Sequence, residues 1–417
     1  MAMRDLLFLS HRVPYPPDKG DKIRAWHMFR HLAQTHRMHL GCFIDDPADW
    51  QHLPTLQAMC ADLACFPLDP RRARLKALLR LRPGQPLSLG YFHDRRLQGW
   101  VDAKLADPAI ERVFVFSSSV AHYAMHAAAK TRVLDFVDVD STKWTTYAAQ
   151  ARMPMRAVWA REGRTLLAFE RRAAASYDHS LFVSEHECQH FLGLAPEAAD
   201  RTGWVSNGVD LTYFSPDLTF PPPFQPSGAD LVFTARMDYR PNIDAAVWFA
   251  GLVLPVLRAR RPAARFWIVG AAPTPEVRRL AALPGVQVTG RVPDTRPYIA
   301  AADVVVAPLR IARGIQNKIL EAMAMGRPVV ATPEAFAGVR ADPGQAILLS
   351  SQVDDTVKNI LDVLDGRHPM LGAAGRCAVE AAHRWEVTLR PLDRLFGEAS
   401  DTVYRQPAAP IPAGQAA

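Results

Sequence analysis

The chain has 417 residues, 49% apolar and 22% charged, the proportions of an ordinary globular protein with room for two or three domains. Its net charge of +7 is a mild bias, suited to a phosphate-bearing ligand or an anionic surface and too small for a nucleic-acid tail. The five cysteines (Cys42, Cys60, Cys65, Cys188, Cys377) are odd in number and lack CxxC spacing, which argues against a disulfide framework or a zinc site and for free thiols in a reducing cytosol.

No apolar run approaches the ~18 to 20 residues that span a bilayer. The opening Leu6–Leu9 stretch, followed at once by His11 and Arg12, is too short for a signal-peptide core and reads as a first strand. A cytoplasmic protein is expected. Strands follow at Asp5–Ser10, Met38–Ile44, Leu63–Pro67, Arg112–Ser117, Arg132–Val137 and His179–Ser184. A second set falls at Leu231–Ala235, Arg265–Gly270, Gln287–Gly290, Asp303–Pro308, Pro328–Ala331 and Ile347–Ser350. Runs such as DVVVAPL are apolar throughout, as parallel strands covered on both faces must be. Strand–helix alternation twice over predicts an α/β protein of two doubly wound domains. The boundaries predicted are a first domain over 1–213, a Pro-rich linker over 214–230, a second domain over 231–375, a C-terminal helical segment over 376–400 and a disordered tail over 401–417.

In the first half, HRVPYPPDKGDK leads from a strand through Gly20 into an amphipathic helix, and Lys19, Gly20, Asp21 and Lys22 are candidates at that turn. RRARLKALLRLRPGQPLSLGYF, residues 71–92, mixes leucines with Arg71, Arg72, Arg74, Lys76, Arg80 and Arg82. Two readings stand: a basic amphipathic helix that docks on anionic lipid, or a helix packed on the core with a basic solvent face. RVLDFVDVDSTKW places Asp138 and Asp140 at a strand end, before a helix that Ser141 could cap. An Asp-x-Asp invites a metal-site reading, since carboxylates ligate Mg²⁺ or Mn²⁺ beside a diphosphate. Otherwise Asp138 could accept a proton or orient a hydroxyl, or both are turn residues that cap the helix.

In the second half, ARGIQNKILEAMAMGRPVVAT carries the most information. Gly314 permits a sharp turn after a strand, Gln316–Met325 has helical periodicity, Gly326 suits the residue after a helix, and Pro328 stops it. The free N–H groups and positive dipole of such a helix start are expected to hold a diphosphate. Lys318 adds a cation there, and Glu321, three residues on, can accept two hydroxyl protons from a ribose. Taken alone, a Lys and Glu at this spacing would be a solvated surface pair.

KILEAMAMGRPVVA resembles the donor motif of family 4 retaining glycosyltransferases. VSNGVD (205–210), FTARMDYRPNIDAAVWF (233–249), WIVGAAP (267–273) and VTGRVPDTRPYIAAADVVVAP (288–308) resemble further family segments in the family's order. The resemblance implies the GT-B fold, two Rossmann-like domains with parallel sheets facing a central cleft, and a nucleoside diphosphate sugar as donor with no cofactor and no metal. It implies that Arg236 contacts the diphosphate, that Gly314, Ile315, Gln316 and Asn317 form the phosphate-cradling turn, and that Glu321 holds the ribose. Arg240 and Asn242 flank the place of a second basic residue, for which Lys318 substitutes in part. The family's first Glu is replaced by Arg313, so the donor sugar stays open. In the first domain the resemblance implies that Gly20 lies near the sugar and that Asp138 faces the reacting centre; Asp138, Lys22, Arg236 and Lys318 are the catalytic candidates. A C-terminal helix near Val379–Phe396 is expected to cross back to the first domain. PYPPDKGDK, DFVDVDSTKW and ARGIQNKILEAMAMG are similar to the sugar transferases of exosortase/PEP-CTERM systems, which implies a bacterial exopolysaccharide role without fixing the sugar. The acceptor is expected to be a saccharide, or a lipid-linked saccharide at the inner membrane if residues 71–92 dock there. An epimerase on the same fold and a non-catalytic nucleotide-binding subunit are the rivals.

Overall fold

A computed structural model describes residues 3–17, 20–79, 82–312 and 314–397. The expectations for Lys19, Arg80, Arg313 and the tail 401–417 therefore lie outside the described residues. The chain forms two compact units, one of residues 1–205 with 389 onward, the other of residues 206–388.

In the first unit, β1 (Arg4–Ser10), β2 (His36–Ile44), β3 (Cys60–Pro67), β4 (Arg112–Phe116), β5 (Thr131–Val137), β6 (His179–Phe182) and β7 (Thr202–Trp204) make one parallel sheet in the order β3-β2-β1-β4-β5-β6-β7. The helices that concern the sites are α1 (Gly20–Leu32), α2 (Pro70–Leu79), α3 (Leu87–Tyr91), α4 (Asp140–Gln150), α5 (Met155–Ser176) and α6 (Glu185–Leu194). β4 is buried at every residue, so its RVFVF run meets apolar neighbours on both faces. Phe8 stacks on Phe114 at 5.0 Å across the β1–β4 pair, and Phe136 on Phe182 at 5.1 Å across β5–β6. β7 is the strand that periodicity missed, since three residues following a 3-10 turn leave no alternation to detect.

One ion pair ties α1 to the middle of this sheet. Arg24 and Asp135 are both essentially inaccessible, and Arg24 Nε and Nη2 donate to the two Asp135 oxygens at 2.8 and 3.2 Å. Arg24 Nη1 also donates to the Val205 carbonyl at 2.7 Å, where the chain leaves the unit. A charge so buried is tolerable only with its partner and hydrogen bonds in place.

The second unit holds a six-stranded parallel sheet of β8 (Asp230–Thr234), β9 (Arg265–Val269), β10 (Val286–Gly290), β11 (Val304–Ala307), β12 (Val329–Ala331) and β13 (Leu348–Leu349), ordered β10-β9-β8-β11-β12-β13. Its relevant helices are α7 (Arg240–Trp248), α8 (Asn317–Ala324) and α9 (Leu371–Ala382). The helical run Arg240–Arg260, interrupted by a π turn at Phe249–Val253, is long and apolar enough to cross a membrane. This amends the expectation that no segment approaches that length. Half of that window is buried inside the unit, where Phe249, Val253, Leu254 and Leu257 join the core.

The Pro-rich stretch read as a linker lies wholly within the second unit. Phe214 and Phe220 pack against its core, and Phe224 stacks on Trp267 at 4.2 Å. The passage between units falls earlier, at Val205–Ser206. A Pro-rich chain outside helix and strand can still be pinned by its aromatic side chains, and composition does not reveal that.

At the other end, the single helix expected over Val379–Phe396 is three: α9, a turn at Trp385–Thr388, and α10 (Arg390–Phe396), which Pro391 starts afresh. Only Leu389 onward belongs to the first unit. There Asp393 accepts from His31 Nε2 at 2.7 Å, and Phe396 meets the rings of His36 and Phe114. The cysteines are all free, though Cys42 and Cys65 are not scattered in space: their Sγ atoms lie 3.4 Å apart across β2–β3.

Replacing Arg24 by Met should lower the unfolding free energy by about 3–5 kcal/mol, because Asp135 is left buried and unpaired. Urea titration followed by circular dichroism checks this, and Arg24→Met/Asp135→Leu should recover most of the loss.

Candidate functional site

In both sheets the strand order reverses beside the first strand of the unit, at β1/β4 and at β8/β11. Doubly wound sheets bind ligands outside the carboxyl ends of their strands at such a reversal. The loops after β8 and β11 define the place in the second unit.

After β8 the chain runs Ala235–Arg236–Met237 directly over the end of β9. Ala235 N–H donates to Val269 O at 3.0 Å and Met237 N–H to Ala271 O at 2.9 Å. Gly270 (φ 146°) makes this approach possible: a Cβ there would sit 1.8 Å from the Ala235 carbonyl oxygen. Arg236 is thereby fixed at the strand end, half exposed, with its guanidinium forked onto Asp238 at 2.7 and 3.2 Å.

After β11, Gly314 turns the chain at φ 61° and Ile315 plugs into the core. Gln316 caps α8 in an extended conformation without a side-chain hydrogen bond to the first turn. Its carbonyl accepts from Ile319 N–H at 3.0 Å, so the N–H groups of Asn317 and Lys318 are the ones left for another acceptor. The end of α8 follows expectation, with Gly326 at φ 64°.

Asn242 of α7 joins the two loops. It is buried, its Nδ2 donates to the Arg236 carbonyl at 2.9 Å, and its Oδ1 accepts from Lys318 Nζ at 3.3 Å. Lys318 Nζ also donates to Gln316 Oε1 at 3.1 Å and lies 5.7 Å from the Phe233 ring centre. Burial pulls its ammonium down to about 8, against the attraction of Glu321. Burial likewise pushes the Glu321 carboxyl up to about 7, with Lys318 opposing. The pair is thus desolvated rather than a solvated surface pair. Asn207, in the VSNGVD segment, donates from Nδ2 to Asn317 Oδ1 at 3.2 Å and brings that segment to the same helix start.

Arg240 is exposed at the first residue of α7. Arg310, which the sequence reading passed over, stands just beyond β11 and is forked onto Asp244 of α7 at 2.6 and 3.1 Å. Its signal was available, since it has the same strand-end position as Arg236. Arg236 and Arg310 are each held by a carboxylate at the surface rather than buried, so a diphosphate can compete for them.

In the first unit the predicted residues do not behave alike. Gly20 and Asp21 open α1, where Asp21 meets Arg12 at 2.7 Å and His11 at 3.4 Å. Burial raises the Asp21 carboxyl, but the bonds and charges of His11 and Arg12 prevail and hold it well below the usual range. Lys22 departs from expectation. It is 1% exposed and its Nζ is paired with Asp49 at 2.7 Å, itself buried, so it anchors α1 instead of meeting a substrate.

Asp138 sits after a strained residue. Val137 has φ 69°, a region that β-branched residues avoid, and its N–H donates to Asp135 Oδ1 at 3.1 Å. The carboxylate that pairs with Arg24 therefore also holds the turn that presents Asp138. Burial, then the charges of Glu187 and Asp140, push the Asp138 carboxyl up to about 7. Burial also raises Asp140.

The expectation that Ser141 caps α4 is corrected. The helix starts at Asp140 with no side-chain cap from its own chain end, and the cap comes from neighbouring helices. Glu170 of α5 accepts from Ser141 N–H at 3.1 Å and Oγ at 2.5 Å; Glu187 of α6 accepts from Val139 N–H at 3.0 Å. Asp138 and Asp140 are thus released from capping. Among the described residues no group of three or more His, Cys, Asp or Glu is placed to hold a metal ion.

Glu321→Gln should stabilise the protein above pH 7. The raised Glu321 value means that the group's contribution is full below its ordinary pKa and is lost as pH rises through about 7. Urea titrations at pH 8 should show a gain on the order of 2–3 kcal/mol, which shrinks as the pH falls and vanishes only below the ordinary carboxyl pKa of 4.5.

Residues 228–366 match the family model described as glycosyl transferases group 1. The GDP-mannose-dependent monoacylated alpha-(1-6)-phosphatidylinositol monomannoside mannosyltransferase of Corynebacterium glutamicum is 33% identical over 157 residues, 34% of this chain. That alignment spans 41% of the relative's length, less than half. Among solved structures, Anabaena Alr3699/HepE in complex with UDP and glucose matches 93% of this chain and 98% of its own, with a TM-score of 0.64 at 15% identity. Sucrose-phosphate synthase from Thermosynechococcus elongatus matches 94% and 98%, with a TM-score of 0.68 at 19% identity. The chain shares the GT-B fold with these enzymes.

Proposed function

We propose that this chain, whose second unit is a group 1 glycosyltransferase domain, transfers a sugar from a nucleoside diphosphate sugar to a hydroxyl of a saccharide or lipid-linked saccharide, with retention of anomeric configuration. The observation that carries the reading is the joined pair of switch-point loops, which gathers Arg236, Lys318 and the open first turn of α8 with Glu321 one turn below. The three positive features take up charge as the diphosphate leaves, and Glu321 accepts from the ribose hydroxyls. Gly314, Ile315, Gln316 and Asn317 supply the turn, Asn242 holds it, and Arg240 and Arg310 stand beside it. In the first unit, Asp138 accepts or orients the proton of the acceptor hydroxyl, and its pKa near 7 suits that task. Neutralisation by side chains and a helix terminus makes the transfer metal-independent.

The likeness of PYPPDKGDK, DFVDVDSTKW and ARGIQNKILEAMAMG to exosortase/PEP-CTERM-associated transferases supports a bacterial exopolysaccharide role on the cytoplasmic side of the inner membrane. The mannosyltransferase relative acts, by its name, on a phosphatidylinositol mannoside, which supports a lipid-linked acceptor.

A thermal-shift screen of UDP- and GDP-sugars should find at least one that raises the melting temperature. Arg236→Ala should weaken that ligand about 10- to 100-fold, as loss of a charged hydrogen bond implies. No stabilisation by any nucleotide sugar would sink the donor-site reading, and binding without turnover on any acceptor would favour a non-catalytic subunit.

Donor affinity should also fall as pH rises through about 8, where Lys318 loses its proton. Calorimetric Kd values from pH 6.5 to 9.5 check this, and Lys318→Met should bind weakly and without that slope.

A further inference from the structure

On a soluble face, an amphipathic helix buries its leucines. α2 does the reverse. Its buried residues are Ala73 and Ala77, one turn apart, and Leu75, Leu78 and Leu79 are 59%, 60% and 78% exposed. The reason is the seam with α3. Gly90 lies so close that a Cβ there would come within 3.0 Å of Ala77 Cα, so only small residues fit between the two helices. The long side chains of α2 therefore point outward. Positions 75, 78 and 79 share one face, with Arg71 and Arg72 a turn before them.

A second exposed apolar group lies at the start of α5. Met153, Met155 and Val158 are 71%, 44% and 38% exposed, the two methionines lying between Arg152 and Arg156. The two groups are joined through the loop that follows α2. Arg161 Nη2 donates to the carbonyls of Arg82 and Gln85 at 3.0 and 3.1 Å, and Glu162 accepts from Leu87 and Ser88 N–H at 2.7 and 2.9 Å. Val158 precedes Arg161 by three residues, on the same side of α5.

The charge of these segments is of one sign. Residues 70–92 contain six Lys or Arg and residues 150–161 three, and neither segment contains an Asp or Glu. Asp69, just outside, accepts from the backbone N–H groups of Arg71 and Arg72 and is engaged in starting α2.

We propose that α2 and the start of α5 form a docking surface for an anionic lipid bilayer. The six apolar side chains enter the headgroup–acyl boundary and the surrounding cations face the lipid phosphates. Exposed apolar side chains of this size rimmed by arginine favour such a boundary over water, and the all-cationic rim selects lipid of negative charge. Of the two readings left open for residues 71–92, this one places Leu75, Leu78 and Leu79, which packing against the core does not bury, whereas Leu89 of α3 does join the core. The surface belongs to the first unit alone and does not depend on the donor chemistry.

The test is co-sedimentation of the full chain with vesicles of phosphatidylcholine and with equimolar phosphatidylcholine and phosphatidylglycerol. Partition should be at least ten-fold stronger onto the anionic vesicles. Leu75→Ser/Leu78→Ser/Leu79→Ser and Arg71→Glu/Arg72→Glu/Arg74→Glu should each lose at least ten-fold. Both should keep the wild-type melting temperature, because the side chains replaced are exposed. Hydrogen exchange on the wild-type protein gives a second readout, with slower exchange at 70–79 and 152–158 only when phosphatidylglycerol is present. Equal partition onto both vesicles, or partition unchanged in both variants, overturns the proposal. So does loss of self-association in the leucine variant without any vesicle binding, which would assign the face to a second copy of the chain.

Discussion

The second unit depends on one buried amide. A diphosphate site at the reversal of a doubly wound sheet must bring together loops from two strands that are neighbours in the sheet but start at Asp230 and Val304, far apart in sequence. Asn242 does this with both ends of its side chain: its NH₂ holds the Arg236 backbone and its oxygen holds the Lys318 ammonium. An aspartate of the same shape could not donate to the Arg236 carbonyl, and a leucine would leave both loops without their tie. The close crossing at Gly270 fixes the height of the first loop and the Gly314 turn fixes the entry of the second. The amide then sets their separation.

The first unit uses a charged version of the same principle. Arg24 draws α1, β5 and the chain's exit to one point, and Asp135 passes that rigidity on to the strained turn at Val137. Strain of this kind, of order 1–3 kcal/mol, persists only where surrounding contacts impose it. Here it presents a carboxyl that burial, helped by the charges of Glu187 and Asp140, keeps from ionising easily. Lys22, only two residues before Arg24, belongs to the same anchoring of α1 through Asp49.

Much of this was legible in the sequence, for identifiable reasons. Parallel strands covered on both faces are written as apolar runs, so twelve of the thirteen strands among the described residues could be read, and the thirteenth, Thr202–Trp204, holds no apolar run. The α8 site was legible because Gly314, Gly326 and Pro328 each mark a backbone requirement. What remained hidden depends on partners distant in sequence. Nothing local separates Lys22, buried against Asp49, from a solvent lysine, or indicates that Phe224 stacks on Trp267 and makes a proline-rich stretch part of a domain. The caps of α4 were hidden for the same reason, because Glu170 and Glu187 arrive from other helices.

Lys318 and Glu321 hold their protons with nearly equal readiness, one at about 8 and the other at about 7. A bound diphosphate favours the ammonium and a bound ribose favours the carboxylate. Ligation at the acid end of this interval therefore expels protons from Glu321, and at the alkaline end it recruits them onto Lys318. Between the two lies a pH at which the exchange with solvent cancels, and there the heat of association ceases to depend on the buffer's own ionisation enthalpy.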